Sequence, residues 1–364
     1  MKIIVVASAR PNFMKVAPIL AELRRTPDRF EPVFVHTGQH YDAKMSESFL
    51  NDLGLGQPDI SMGIGSGSQA VMTARTMESF ETVILDEKPD MVVVVGDVTP
   101  TMACTLVCAK LMIPVAHVEA GLRSFDRGMP EEINRIVTDG IADLLLTPSP
   151  EADQQLIREG VSADRIHFVG NVMIDTLVKC MPKIEKSTVI DSLGLEAQAF
   201  ALLTLHRPSN VDSSEPLEEI LDALVVIGEK LPIVFSVHPR TRKMIDEFNL
   251  RERLEAIPNL IDLQPQPYFD FLQLQRSARL VLTDSGGVQE ETTFLGIPCL
   301  TLRENTERPV TITSGTNVLT GPHRDAIVQE ASQVLSGSAK SGQIPDLWDG
   351  KAAERIVAVL SQYL

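Results

Sequence analysis

The sequence predicts an α/β protein built from two parallel-sheet domains, and three observations carry that expectation. The chain has 364 residues, about two domains at roughly 150 residues each. Short, continuous, β-branched apolar runs alternate with longer amphipathic stretches, the pattern of strands buried on both faces and joined by crossover helices. The alternation also occurs twice, in two series separated by a stretch of weak periodicity.

The first series places strands at residues 3–7, 32–36, 91–95, 115–118 and 144–146, with helical patterns at 14–25, 68–87 and 101–111. The second places strands at 201–205, 233–237, 260–263, 280–283 and 298–302, with helical patterns at 216–229, 241–248, 268–276 and 287–295. Residues 181–198 combine a proline, scattered charges and little periodicity, so the boundary is set there. This gives domains at 1–180 and 181–350 and a last helix at 351–364 able to pack on either.

Composition narrows the function. Hydrophobic residues make up 44% of the chain and mean hydropathy is +0.06, enough to fill ordinary cores. Against 33 basic residues stand 49 acidic ones, a formal charge of −16. That argues against nucleic-acid or polybasic membrane partners, which need a Lys/Arg surplus. A few placed cations can still hold a small anion. The opening apolar run reaches Arg10-Pro11 too soon for a signal peptide, and no window approaches ~18 apolar residues. The expectation is a soluble cytoplasmic protein. Cys104 and Cys108, four apart in a helical stretch, read as buried core thiols.

Chemistry concentrates just past the strands, where open parallel sheets bind ligands. Two such edges facing one another would form an interdomain cleft. Asp284-Ser285-Gly286-Gly287 follows a strand and opens a helix. Its glycines admit a ligand to the backbone, and the helix N-terminus offers unpaired N–H groups to a phosphate. Glu291 lies one turn on from Gly287, suited to accept hydrogen bonds from sugar hydroxyls. The plainer account is that Asp284 or Ser285 caps the helix. Arg10, in the first strand–helix turn, suits a diphosphate because its fork donates two parallel hydrogen bonds, and Lys15 follows it. His206-Arg207 sets a titratable ring beside a fixed cation.

Acids come from the first domain. Asp97 and Glu119 leave neighbouring buried strands, where a carboxylate can be tuned for proton transfer. Glu131 lies in the first turn of a helix begun by Pro130, with Arg135 as its ordinary i,i+4 partner. Residues 63–68 lack the third glycine of a dinucleotide fingerprint and read as a loop before the next helix. No Cys/His spacing calls for a metal.

Taken together, these residues resemble the non-hydrolysing UDP-N-acetylglucosamine 2-epimerases. The match keeps its order through Ala9-Arg10-Pro11 with Lys15, Thr37-Gly38-Gln39-His40, Gly96-Asp97, HVEAGLR at 117–123 and PEEINR at 130–135. It continues through Gly170-Asn171, His206-Arg207, DSGGVQEE at 284–291, TERP at 306–309 and GTN at 315–317. The resemblance implies two Rossmann-like domains of the B-type glycosyltransferase (GT-B) fold with the active site in the cleft. It further implies acid/base roles for Asp97, Glu119 and Glu131, with His206 in the active site. Diphosphate contacts would come from Arg10, Ser285, Gly286 and Gly287, a ribose contact from Glu291, and a uridine pocket from Gln266 and Phe271. Gln39, Arg75, Arg207 and His238 match a second UDP-sugar site that activates some members.

The implied reaction expels UDP from C1, removes the C2 proton to give a glycal, and adds UDP back. It needs no metal or redox cofactor, and a homodimer is the family expectation. The alternatives are a hydrolysing 2-epimerase releasing N-acetylmannosamine and UDP, or an epimerase acting on UDP-glucose. Where the family commonly carries a glutamate after His-Arg, this chain has Pro208-Ser209-Asn210; Val310 follows TERP in place of the usual glutamate, and Pro100 enters the Gly96-Asp97 loop.

Overall fold

The computed structural model describes residues 1–38 and 49–363, with Arg10 described by its backbone alone. Two compact units divide the chain: Met1–Lys179 with Asp346–Leu364, and Cys180–Pro345.

In the first unit, seven parallel strands form one sheet. They are β1 (Lys2–Ala7), β2 (Glu31–His36), β3 (Ile60–Ser61), β4 (Met91–Val95), β5 (Val115–Val118), β6 (Leu144–Thr147) and β7 (Ile166–Phe168). Their order is β3-β2-β1-β4-β5-β6-β7. The second unit holds six: β8 (Ala201–Thr204), β9 (Ile233–Ser236), β10 (Leu260–Leu263), β11 (Leu280–Thr283), β12 (Cys299–Thr301) and β13 (Asn317–Leu319), ordered β10-β9-β8-β11-β12-β13. Every expected apolar run is a strand. The strands without a corresponding run, β3, β7 and β13, are two or three residues long and only partly buried, so no continuous apolar signal marks them.

Strand order reverses once in each sheet. β1 lies between β2 and β4, and β8 lies between β9 and β11. At such a switch point successive crossovers leave to opposite faces, and a crevice opens beyond the carboxyl ends. Ser8 to Arg10 and Gly96-Asp97 sit at the first switch point, and His206-Arg207 and Asp284-Ser285 at the second.

Helices cover the sheets with apolar faces. Phe80 and Ile84 of the Gln69–Glu87 helix pack with Val92, Val94 and Leu145 in the first unit. Ile220, Leu224 and Ile227 of the Ser214–Gly228 helix pack with Leu203, Phe235 and Leu282 in the second. Cys104 and Cys108 are core thiols as expected, and burial pushes Cys108 up to about 12, which keeps it inert. Ser68 caps the Gln69–Glu87 helix after the glycine-containing loop. The terminal helix, Ala352–Tyr363, packs on the Arg10–Arg24 helix of the first unit. The Asp175 carboxylate accepts hydrogen bonds from the backbone N–H groups of Ala352 (3.0 Å) and Ala353 (2.7 Å) at its start.

Candidate active site

At the first switch point each acid is gripped by a buried cation. Glu119 is 4% exposed and its Oε2 pairs with the Nζ of Lys15, itself 6% exposed. Lys15 is thus engaged by Glu119, where the sequence suggested a second cation for a diphosphate. Gly96 explains how the pair fits. Its φ of +65° suits glycine, and a Cβ there would lie 3.0 Å from Lys15 Nζ and 3.3 Å from Glu119 Oε2. Glu119 has a φ of +70°, a left-handed conformation costing a side-chain-bearing residue about 1–3 kcal/mol. Backbone bonds from Glu119 and Ala120 to the carbonyl of Leu146 hold it there. Asn12 tightens the same corner, accepting from the N–H groups of Ser8 and Ala9 and donating to the carbonyl of Val95.

Asp97 is more open, its side chain 29% exposed, and it pairs with Arg135. Arg135 is almost fully buried. It donates twice to Glu132, from Nε (3.0 Å) and an amino group (2.7 Å), and to the hydroxyl of Ser124 (3.3 Å). Glu132 accepts further bonds from the backbone of Ser124 and Phe125. Burial pushes its carboxyl up, but the Ser124 N–H and the Arg135 guanidinium outweigh burial and hold it below the usual range. The plainer account of Glu131 pairs it with Arg135, one turn further along the helix. That pair does not form, because Glu132 and Arg135 share the buried face of the Pro130–Ile141 helix whereas Glu131 lies half-buried at its margin.

The second switch point is organised by Asp284, fully buried. Its carboxylate accepts from the backbone N–H groups of His206 (3.0 Å) and Arg207 (2.9 Å) and the Asn210 side chain (3.2 Å), and lies 2.9 Å from His206 Nδ1. Burial acts against the charge, yet His206 and these donors keep Asp284 below the usual range. Asp284 therefore shapes the β8 loop, and no side chain caps the Gly286–Leu295 helix. With Nδ1–H given to Asp284, the His206 Nε2 is the nitrogen available to a ligand. The His238 ring lies 5.7 Å away.

Beside that helix stands a cation cluster of which the sequence reading gave a site role to Arg207 alone. Arg308 Nε lies 2.8 Å from Glu290, and a Cβ on Gly286 would come 2.5 Å from an Arg308 amino group. The Arg308 guanidinium therefore rests on the first turn. Glu307, 1% exposed, faces Arg303 (2.8 Å), Arg308 (3.4 Å) and Arg207 (3.7 Å). Against the effect of burial, these guanidiniums hold its carboxyl at about 2. Arg207, Arg303 and Arg308 thus gather with Glu290 and Glu307 beside a helix N-terminus, a setting that favours an anion. The signal was the TERP stretch itself, two charges directly before a proline-started turn.

Other candidates are placed as follows. Glu291 is buried, bonded by Tyr268 (3.3 Å) and Gln275 (2.6 Å), and burial raises it to about 8. Phe271 packs against the core beside Leu274 and Val288, while the Gln266 side chain donates to the Gln264 carbonyl. Ser285, just before the helix, and Gly287, in its first turn, are partly exposed. Arg75 is exposed on the Gln69–Glu87 helix of the first unit, whereas Arg207 and His238 belong to the second. Gln39 and the Arg10 side chain lie outside the described residues.

Residues 21–361 match the family model for UDP-N-acetylglucosamine 2-epimerase. The chain belongs to the UDP-N-acetylglucosamine 2-epimerase family. A Methanococcus maripaludis relative named UDP-N-acetylglucosamine 2-epimerase homolog is 42% identical, with 99% of each chain covered. A Pseudomonas aeruginosa relative named UDP-2,3-diacetamido-2,3-dideoxy-D-glucuronate 2-epimerase is 40% identical, with 100% of each covered. Among solved structures, Methanocaldococcus jannaschii UDP-GlcNAc 2-epimerase in complex with UDP-GlcNAc and UDP aligns with a TM-score of 0.90 at 40% identity, with 100% of each chain covered. Pro208 starts a short helix, Pro208–Val211, and buried Asn210 ties the Asp284 carboxylate to the Leu302 carbonyl.

Proposed function

We propose that this protein interconverts UDP-N-acetylglucosamine and UDP-N-acetylmannosamine by eliminating UDP and adding it back across a 2-acetamidoglucal. The reading rests above all on Asp97 and Glu119, leaving adjacent strands and each fixed by a buried cation. The C2 proton has no neighbouring carbonyl to acidify it. Departure of UDP from C1 builds oxocarbenium character that does so. The Gly286 helix terminus with Arg308 then stabilises the leaving diphosphate, electrostatic stabilisation in place before the charge develops. His206 offers a proton site through Nε2, and Glu291 accepts from ribose hydroxyls. Inverting C2 needs proton transfer on both faces of the ring, a task we assign to Asp97, Glu119 and Glu131 together. The relatives' names support the reaction class, and the UDP-GlcNAc complex of the M. jannaschii protein supports the substrate.

Reaction in D₂O tests this directly. Deuterium is expected at C2 of the epimer, with UDP still attached at equilibrium. Labelled free N-acetylmannosamine accumulating with UDP would instead assign the hydrolysing reaction, and unlabelled epimer would overturn the elimination route. The full-length likeness to the P. aeruginosa enzyme favours a second sugar, the diacetamido-glucuronate, for the same C2 chemistry. Running both substrates side by side decides which is turned over faster.

A further inference from the structure

We propose that His117 is a positioning residue that sets Asp97 for proton transfer through the Gly96–Asp97 peptide; the proposal rests on the acid/base reading of Asp97 above. His117 lies in β5, fully buried, and its Nε2 is 2.8 Å from the Gly96 carbonyl oxygen. A carbonyl only accepts, so Nε2 carries the proton in this bond. The other nitrogen, Nδ1, is 2.6 Å from Asp139 Oδ1. Asp139 is almost fully buried, bonded also by Arg123 (2.6 Å) and the backbone N–H of Gly121 (3.0 Å), and Arg123 in turn grips Glu159. The imidazole is therefore fixed from behind by a carboxylate that is itself fixed, an arrangement that orients a ring and its proton.

The consequence falls on Asp97 from three directions. His117 holds the peptide before it, the Asn134 side chain donates to the Asp97 carbonyl (2.8 Å), and Arg135 grips the Asp97 carboxylate. Asn134, Arg135 and Asp139 all come from the Pro130–Ile141 helix. That one helix thus supplies two clamps directly and anchors the third through His117. Asp139 also pins Gly121, two residues beyond Glu119, so both acids share the frame. Gly96 has no side chain of its own to resist rotation, and its φ of +65° leaves the peptide orientation to its hydrogen bonds.

Two substitutions separate the contacts. His117→Gln can place a donor near the Nε2 position and keep the Gly96 bond, whereas His117→Asn can place one near Nδ1 and keep only the Asp139 bond. For Asn, kcat for C2 epimerisation should fall about 10²-fold, the scale of an ångström-level misplacement, with KM and calorimetric UDP affinity unchanged. Gln should recover most of the loss. Equal kcat losses in Gln and Asn, or wild-type kcat in Asn, would overturn the proposal. Should both variants unfold, ¹⁵N-histidine spectra of the unsubstituted protein decide: an exchange-protected Nε2 proton supports the Gly96 bond, and an unprotonated Nε2 refutes it. Wild-type protein that places no deuterium at C2 would refute the parent reading instead, a separate outcome.

Discussion

Glu307→Gln tests how the anion site is held together. The carboxylate is 1% exposed and meets Arg303, Arg308 and Arg207, which depress it from the ordinary 4.5 to about 2 in spite of burial. A displacement of that size corresponds to about 3 kcal/mol of stabilisation at neutral pH. Because the folded value is the lower one, the stabilisation is complete above about pH 4.5 and drains away as pH falls toward 2. Glutamine keeps the shape and loses the charge. The variant should therefore be about 3 kcal/mol less stable at pH 7, and the gap should narrow to about 2 kcal/mol by pH 3.5. Urea unfolding followed by circular dichroism, with linear extrapolation, measures both gaps. A deficit under about 1 kcal/mol at pH 7, or one that does not change with pH, would refute the pairing. Removing Glu307 also takes one carboxylate from among the guanidiniums, so added pyrophosphate should restore more stability to the variant than to the wild type.

Asp97→Asn should lose at least about 10²-fold in turnover while UDP affinity is retained, and wild-type turnover would remove Asp97 from the acid/base set. Gly286→Ala should weaken UDP binding measured by calorimetry, since its Cβ would displace the Arg308 guanidinium resting 2.5 Å away. Gly287→Asp should do the same by adding an anion to the helix N-terminus, and unchanged affinity in both would move the diphosphate elsewhere. Burial raises Glu291 to about 8, so the folded protein retains a proton that the unfolded chain releases above about pH 4.5. Stability should therefore fall as pH rises between 4.5 and 8, and Glu291→Gln should flatten that slope. If ribose hydroxyls donate to Glu291, UDP binding at pH 7 should also release protons, visible as a dependence of binding enthalpy on the buffer.

Much of the fold was legible because its central strands are buried on both faces and must be continuous apolar runs. Val92 to Val95 and Leu280 to Leu282 could hardly be anything else once length and flanking helices are weighed. β3 and β13 escaped because short edge strands carry little apolar sequence. Strand-end chemistry was legible for a topological reason: any polar cluster following such a run is carried to the same sheet edge. Asp97, Glu119, His206 and Asp284 were all found that way. Their partners were not. Lys15 and Glu119 are 104 positions apart, and Asp97 and Arg135 are 38 apart. No local spacing rule reaches across those separations, and the local i,i+4 pairing of Glu131 with Arg135 lost to Glu132 on the buried face.

Those pairings divide the chemistry in a way the formal charge of −16 conceals. In the first unit Asp97 and Glu119 each face a buried cation, Arg135 and Lys15, and Arg135 is shared with Glu132. In the second unit Arg207, Arg303 and Arg308 gather with Glu290 and Glu307 beside a helix terminus, where we place the diphosphate. Buried and partly buried pairs are screened little by salt, whereas a cation cluster binding a diphosphate is screened over roughly 8 Å at physiological salt. The distant acidic surface is screened by the same salt and repels UDP less. These effects oppose each other in binding and leave proton transfer alone. Raising salt should therefore shift KM modestly and leave kcat nearly constant; a kcat that falls steeply with salt would mean that the carboxylate pairs are open to solvent during catalysis.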